Sequence, residues 1–233
     1  MVDIHSHVLF GVDDGAKSLD ESLLLLKEAK KEGIDTVFAT PHFYTFESDI
    51  DSLKSKVEEN FNILQSSAQG EEYPLIKLGY EVHYFKGIYK SEDIKQCTLD
   101  NGNYLLLELD FTDITDDVIH NIEEIRWQLG LFTIIAHIER YSKLRGYKKL
   151  LKLIDHTNFF AQVTASSVAG IDKYKRTTDK LIRKNYVDFV ASDAHNLSLR
   201  KFYFSEAVET LNKKHKFIAK TLIGNSDKIT NSR

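Results

Sequence analysis

A chain of 233 residues is long enough to bury one substantial core, and 42% hydrophobic with 28% charged residues is ordinary for a folded globular domain. The net charge of −4 gives no bulk positive field for nucleic acid or an anionic membrane surface, so any phosphate recognition has to be local. The single cysteine, Cys97, excludes an internal disulfide; no apolar run approaches the roughly 20 residues of a bilayer span; and Met1-Val2-Asp3-Ile4-His5 starts without a basic or apolar leader. The expectation is a cytoplasmic protein with no membrane insertion and no nucleic-acid partner.

In chain order, a first apolar run covers residues 2–7. Ser18-Leu19-Asp20-Glu21 then reads as a capping box with Ser18 as N-cap, the helix continues through Glu32, and Gly33 supplies its end. A strand is expected at 36–42, a helix at 51–67, and strands at 75–83 and 104–110. A helix follows at 116–129, a strand at 132–139 and a helix at 147–154. The last elements are a strand at 159–167, a helix at 173–184, a strand at 187–195 and a helix at 204–213. Several strand runs, such as Thr133-Ile134-Ile135-Ala136, are apolar throughout, as strands covered on both faces are. Seven strands alternating with helices imply an α/β fold with a parallel sheet and right-handed crossovers, closed into a distorted seven-stranded (β/α)7-type barrel in preference to an open doubly wound sheet. One domain is expected over 1–224, with 225–233 as a frayed tail.

The candidate chemistry sits at the ends of these runs, the face where barrels of alternating strands and helices carry their sites. His5 and His7 fall on one side of the first strand by period-two alternation, and Asp13, Asp14 and Gly15 follow in a turn. His42 ends the second run, Glu81 lies near the end of the third, and Glu108 stands in the greasy stretch Leu105-Leu106-Leu107. His137 closes the fifth run. Asp193 and His195 close the seventh and, as strand residues, share a side. Buried acids facing several imidazoles call for bound cations; the bland alternative is a pocket in which these groups satisfy one another. Imidazole and carboxylate without thiolate suit Mn, Fe, Zn or Mg. A carboxylate such as Glu81 can bridge two cations about 3.5–4 Å apart, whose shared water loses a proton near neutral pH and acts as the nucleophile. Arg140 and Arg200 are the candidate phosphate ligands, because a guanidinium matches phosphate oxygens in bidentate geometry. His120, His156 and His215 lie outside these motifs and are read as packed or solvent-facing.

Asp3-Ile4-His5-Ser6-His7 with Val12-Asp13-Asp14-Gly15, then Ala136-His137-Ile138-Glu139-Arg140-Tyr141, then Ala191-Ser192-Asp193-Ala194-His195-Asn196-Leu197 resemble the polymerase-and-histidinol-phosphatase superfamily. More narrowly they resemble its bacterial manganese-dependent protein tyrosine phosphatases, encoded with capsule and exopolysaccharide genes. The resemblance implies two or three ions per chain, manganese first with Fe, Zn or Mg as alternatives. One would be held by His5, His7, Glu81 and Asp193. A second would share Glu81 and add Glu108 and His137, and a third would use Asp14, His42 and His195. Arg140 and Arg200 match the arginines that hold phosphate and serve catalysis. The implied substrate is phosphotyrosine on a partner protein, typically the tail of a bacterial tyrosine kinase. Two stretches depart from the pattern. His83 lies on Glu81's side of its strand and is read as packing, with a role near the substrate as the alternative. Phe43-Tyr44-Thr45-Phe46 is unusually aromatic and would either suit an aromatic substrate or cap the barrel.

A cysteine phosphatase needs an arginine six residues after its thiolate; six after Cys97 stands Asn103, and no other cysteine exists. The remaining alternatives are a small-metabolite phosphatase of the histidinol-phosphate type, which would share the metal centre, and a non-catalytic kinase-binding scaffold. A nuclease-like phosphoesterase is opposed by the acidic net charge.

Overall fold

The computed structural model describes residues 1–44, 50–154 and 159–231. Among these, nine strands occur in chain order: β1 (Val2–Ser6), β2 (Thr36–Ala39), β3 (His42–Phe43), β4 (Leu75–Leu78), β5 (Glu81–His83), β6 (Tyr104–Glu108), β7 (Phe132–Ile135), β8 (Phe159–Thr164) and β9 (Phe189–Ala191). They pair in parallel, as β1-β2-β4 in one sheet and β3-β5-β6-β7-β8-β9 in the other.

The expected count of seven is not met by continuous strands, because the runs at 36–42 and 75–83 are each interrupted. Between β2 and β3 stands Pro41, which has no N–H to continue a ladder. Between β4 and β5 stands Gly79, where an added Cβ would come within 2.6 Å of a Leu99 methyl. The two interrupted strands stay side by side through the bend, with Gly79 N donating to Ala39 O at 2.9 Å and Glu81 N to Pro41 O at 3.1 Å. At the other edge, β9 returns to β1. Ser6 and Ala194 form a parallel bridge, His7 N donates to Ala194 O at 2.8 Å, and Asp193 N donates to His5 O at 2.8 Å. The result is a curled parallel sheet with the ends of β1 and β9 in contact.

Period-two alternation divides the strand side chains between two apolar clusters. Ile4, Phe38, Leu106, Ile134 and Ala191 belong to a small cluster, while Val37, Leu105, Leu107, Ile135 and Val190 join a larger one with the helices. Burial on both faces explains the unbroken hydrophobic runs.

The helices are α1 (Leu19–Lys31), α2 (Ile50–Ser67), α3 (Asp116–Glu124), α4 (Tyr147–Ile154), α5 (Ala165–Ala169), α6 (Lys175–Arg183), α7 (Phe204–Lys214), α8 (Lys216–Gly224) and α9 (Asp227–Asn231). Ser18 caps α1 as expected, its hydroxyl accepting from Glu21 N, but Glu21 itself accepts from Lys17 N instead of reaching back to Ser18. α3 runs on into a π-helical turn over Ile125–Leu129. α5 takes the end of the run expected as strand at 159–167, because Thr164 caps it through Ser167 N. The tail expected at 225–233 is corrected for its described part: α9 forms there, and Ile229 is buried in the small cluster with Val2 and Phe189.

Candidate metal centre

His5 lies in β1 and His7 just beyond it, both fully buried, with their Nε2 atoms 3.3 Å apart. The turn at Asp13-Asp14-Gly15 folds back onto His7 so closely that a Cβ at Gly15 would sit 2.1 Å from His7 O; only glycine permits that approach. This turn presents Asp14 Oδ1 at 3.2 Å from His195 Nε2 and 3.4 Å from His42 Nε2. Glu81 opens β5 and sits at the middle. Its Oε2 is 3.2 Å from both His5 and His7 Nε2 and 3.0 Å from His42 Nδ1, and its Oε1 is 3.0 Å from His137 Nε2. Glu108, at the end of β6, places Oε1 3.4 Å from His137 Nε2 and Oε2 3.8 Å from His42 Nδ1. Asp193 Oδ1 is 3.5 Å from the Nε2 of both His5 and His7.

Three sets of donors have their atoms within 4.8 Å of one another and could each hold a cation: His5, His7 and Glu81; His42, Glu81 and Glu108; and His7, Asp14, His42 and His195. These sets differ from the implied division in placing His7 and His42 in two sets each. His137 and Asp193 stand outside the three sets.

His137 (φ 32°) and Asp193 (φ 54°) both adopt the left-handed backbone region. β7 and β9 end two residues before them, and the chain turns sharply there, storing backbone strain of the kind found at functional sites. Asp193 and His195 therefore do not share a side through strand alternation, as expected; a backbone turn at Asp193 directs both toward the centre.

Four of the imidazoles are held from behind. His5 Nδ1 faces Gln162 Oε1 at 3.2 Å, His7 Nδ1 faces Asp13 Oδ2 at 2.7 Å, His137 Nδ1 faces Tyr141 Oη at 3.3 Å, and His195 Nδ1 faces the Asp193 carbonyl at 3.0 Å. Each outer oxygen can accept a hydrogen bond from Nδ1–H, which leaves the Nε2 lone pair facing the cluster, the arrangement of a metal-ligating histidine. Gln162 also accepts from His137 N at 2.8 Å, and Tyr141 Oη accepts from Leu109 N at 3.0 Å. Gln162 and Tyr141 escaped the sequence reading as site residues. The available signal was a polar side chain inside an apolar strand, which burial obliges to find a partner.

The electrostatics favour ionised acids. Burial alone would raise the Glu81 and Asp193 carboxyls, but His5, His137 and His42 around the first, and Arg140 and His5 beside the second, hold them well below the usual range. Glu108 is lowered to about 2, since His137 and His83 outweigh its burial. His195 is pushed down to about 3 by burial and by the His7 and Arg200 charges, which keeps it a neutral imidazole. Burial opposes protonation of His7, but Asp13, Asp193 and Glu81 raise it well above the ordinary value.

Arg140 and Arg200 converge on one carboxylate. Arg140 Nη2 bonds Asp193 Oδ2, Arg200 Nη2 reaches both Asp193 oxygens at 3.0 and 3.1 Å, and Arg200 Nη1 lies 3.3 Å from Asp14 Oδ2. Both stay partly exposed at the edge of the cluster. His83 bridges Glu108 at 3.2 Å and Asp110 at 2.7 Å, and the Tyr44 ring lies between those of His42 and His83, tilted against both. Phe43 is buried in the core, whereas Thr45 and Phe46 lie outside the described residues, as does His156. His120 is exposed beside Tyr89, and His215 pairs with Asp179.

The residues present fit divalent cations. Among the described residues His42 Nδ1 and His195 Nε2 are buried without a hydrogen bond although carboxylate oxygens lie 3.0 and 3.2 Å away, so these donors and acids are aimed at a common point and not at one another. A curled parallel α/β sheet carrying such a donor set at its strand ends defines a candidate polynuclear metal centre.

The chain belongs to the family described as capsular polysaccharide synthesis, CpsB/CapC, which it matches over residues 1–231. It is 32% identical over 220 residues to the tyrosine-protein phosphatase CpsB of Streptococcus agalactiae serotype III, covering 91% of this chain and 89% of that protein. It is also 32% identical to the tyrosine-protein phosphatase YwqE of Bacillus subtilis, covering 91% and 84%. In structure it superposes with a TM-score of 0.78 and 26% identity, over 97% of this chain and 95% of the other, on a chain from the crystal structures of YwqE from Bacillus subtilis and CpsB from Streptococcus pneumoniae, described as unique metal-dependent tyrosine phosphatases. Dihydropyrimidinase from Brevibacillus agri, at TM-score 0.51 and 9% identity over 97% of this chain and 67% of that one, shares the fold alone.

Proposed function

We propose that this chain is a metal-dependent phosphatase acting on phosphotyrosine in proteins. The observation that carries the reading is the set of imidazoles pinned at Nδ1 by Gln162, Asp13, Tyr141 and a backbone carbonyl, with every Nε2 turned toward Glu81, Asp14 or Glu108. The relatives' activity names the substrate class.

When bound, the cations would supply an acidified water as nucleophile and neutralise charge on the phosphoryl oxygens. His5, His7, Asp14, His42, Glu81, Glu108, His137, Asp193 and His195 would hold them, with manganese the first candidate and two or three ions per chain. The protein's own part is to fix these donors before substrate arrives. Arg140 and Arg200 lie at the open edge and would exchange their hold on Asp193 for the phosphate oxygens, orienting the ester. Tyr44, Phe111 and Leu199 offer apolar surface near the same edge, which suits an aryl ester better than a small polar metabolite. The finer elements of the reading are a seven-position barrel, counting each interrupted strand once; a single domain; a cytoplasmic location; and a tyrosine kinase as the partner.

The deciding experiment compares a phosphotyrosine peptide with histidinol phosphate and a phosphoserine peptide, using protein loaded with Mn. Preferential turnover of phosphotyrosine is expected. Preference for histidinol phosphate would replace the reading with the metabolite phosphatase, and no turnover with less than one cation per chain would favour the scaffold.

A further inference from the structure

One acid of the motif over residues 136–141 takes no part in the metal centre. Glu139 is fully buried and belongs to none of the three donor sets. It makes no ion pair among the described residues, and the neighbouring Arg140 pairs with Asp193 instead. Its Oε1 gathers three donors from the junction of β8 and α5: Thr164 N at 3.0 Å, the Thr164 hydroxyl at 2.7 Å and the Ser167 hydroxyl at 3.1 Å. Burying a carboxylate without a cation is expensive, and a neutral side chain would fill the same space at less cost, so stability alone does not account for the residue.

Its place in the chain does. Glu139 lies in a single 3-10 turn, Ile138–Tyr141, which follows His137 and carries Arg140. So short a turn has few bonds of its own, here Arg140 N to His137 O at 2.9 Å and Ser142 N to Glu139 O at 3.3 Å, and its orientation is set by ties to the sheet. At one end His137 N reaches Gln162, and at the other Tyr141 Oη accepts from Leu109 N. The Glu139 carboxylate is the tie between them, one residue from Arg140. Glu139 faces the interior, while the Arg140 side chain stays partly exposed at the edge of the cluster. Burial works against the Arg140 charge, but Asp193 and after it Glu139 more than offset this, raising the guanidinium above its ordinary value.

We propose that Glu139 is a positioning residue for phosphate: by gripping Thr164 and Ser167 it fixes the turn so that the Arg140 guanidinium is already placed to meet the phosphoryl oxygens. This rests on the reading of Arg140 as a phosphate ligand. A guanidinium fixed in advance loses less freedom when the ester arrives, which is what preorientation contributes to binding and rate. His137 does not depend on this tie, since Gln162 holds its N–H and Tyr141 Oη faces its Nδ1. Loss of the Glu139 tie therefore weakens phosphate and spares the cations.

The test is a double-mutant cycle on the Mn-loaded full chain, read by the affinity for inorganic phosphate in calorimetry, by bound Mn, and by KM and kcat for p-nitrophenyl phosphate. Glu139→Leu should weaken phosphate by about tenfold, the loss of one charge-assisted hydrogen bond, and raise KM more than it lowers kcat, with bound Mn unchanged. In the Arg140→Ala background the same substitution should cost nothing further. Glu139→Gln keeps an oxygen for Thr164 N and should bind phosphate within about twofold of the native chain. If Glu139→Leu does not fold, Thr164→Val takes its place: it removes one donor, leaves the carboxylate, and should weaken phosphate by about threefold, again only while Arg140 is present. An equal loss without Arg140, release of Mn, native phosphate affinity in the folded variant, or Glu139→Gln as weak as Glu139→Leu overturns the proposal. Native phosphate affinity in Arg140→Ala alone would remove the Arg140 assignment and this proposal with it. The phosphatase reading would survive that result, because it stands on turnover of phosphotyrosine.

Discussion

Gln162→Leu separates the support of the metal centre from the stability of the fold. Gln162 Oε1 accepts from His137 N at 2.8 Å and faces His5 Nδ1 at 3.2 Å, while its Nε2 is buried without a partner among the described residues. Leucine removes two hydrogen bonds, about 1 kcal/mol each, and leaves the His137 N–H unsatisfied at a cost of about 1–3 kcal/mol, but it also removes the unsatisfied amide, which offsets a similar amount. The net loss of stability is thus about 2 kcal/mol, small against the 5–15 kcal/mol typical of a domain. The effect on metal is larger. Without its acceptor, His5 is free to place the proton on Nε2, and groups in this position are commonly worth about 10–100-fold in metal affinity or activity. Gln162→Glu keeps the acceptor oxygen and should keep most of the affinity. Urea unfolding of the metal-free proteins and Mn competition against a chelator measure the two quantities. If Gln162→Leu folds and binds Mn within about twofold of the native chain, the outer partners do not set the imidazole tautomers and the reasoning fails.

Three further outcomes are expected. Cys97→Ser should leave turnover unchanged, because the thiol is buried and pushed up to about 12, whereas a strong chelator should abolish turnover and added Mn restore it; phosphatase activity surviving complete metal removal would rule out the metal mechanism. Arg140→Ala should leave metal content intact and weaken inhibition by phosphate about tenfold or more, as expected for a charge-assisted hydrogen bond; a metal-free variant would show that Arg140 instead maintains the centre. Burial raises the Asp3 carboxyl to about 6, against hydrogen bonds from Ser192 and the His5 N–H. From about pH 4 to 6 the native state therefore keeps a proton the unfolded chain has released, so stability falls as pH rises, by about 3 kcal/mol for this group. Asp3→Asn should lack that component, seen as a narrowing gap between pH 4 and pH 7 in urea unfolding of the metal-free proteins; parallel profiles would refute the assignment.

Most of the candidate donors were legible because they stand where an apolar run stops, and an acid or imidazole at the end of a strand buried on both faces has few reasons to be there except chemistry. What could not be read was how the backbone aims them. Asp193 and His195 were grouped by strand alternation, yet the grouping comes from a left-handed turn at Asp193, a conformation that a non-glycine residue does not advertise. The breaks at Pro41 and Gly79 carried a signal in their residue types, but their effect, two bent strands in place of straight ones, depends on Leu99 packing against Gly79 from a distant segment. α9 was missed because five residues are too few for periodicity, and its buried anchor Ile229 gains meaning only from the cluster it enters. Gln162 is the most informative miss. In Phe-Phe-Ala-Gln-Val-Thr it is the one amide in an otherwise apolar run, and full burial of such a group requires a partner. Its partners turn out to be the His5 ring in β1 and the His137 N–H two residues beyond β7, so the oddness of one residue in β8 was evidence about two candidate ligands on other elements. The spacing of motifs locates the candidate ligands; the buried polar residues between the motifs determine which ring nitrogen of an imidazole such as His5 faces the cluster.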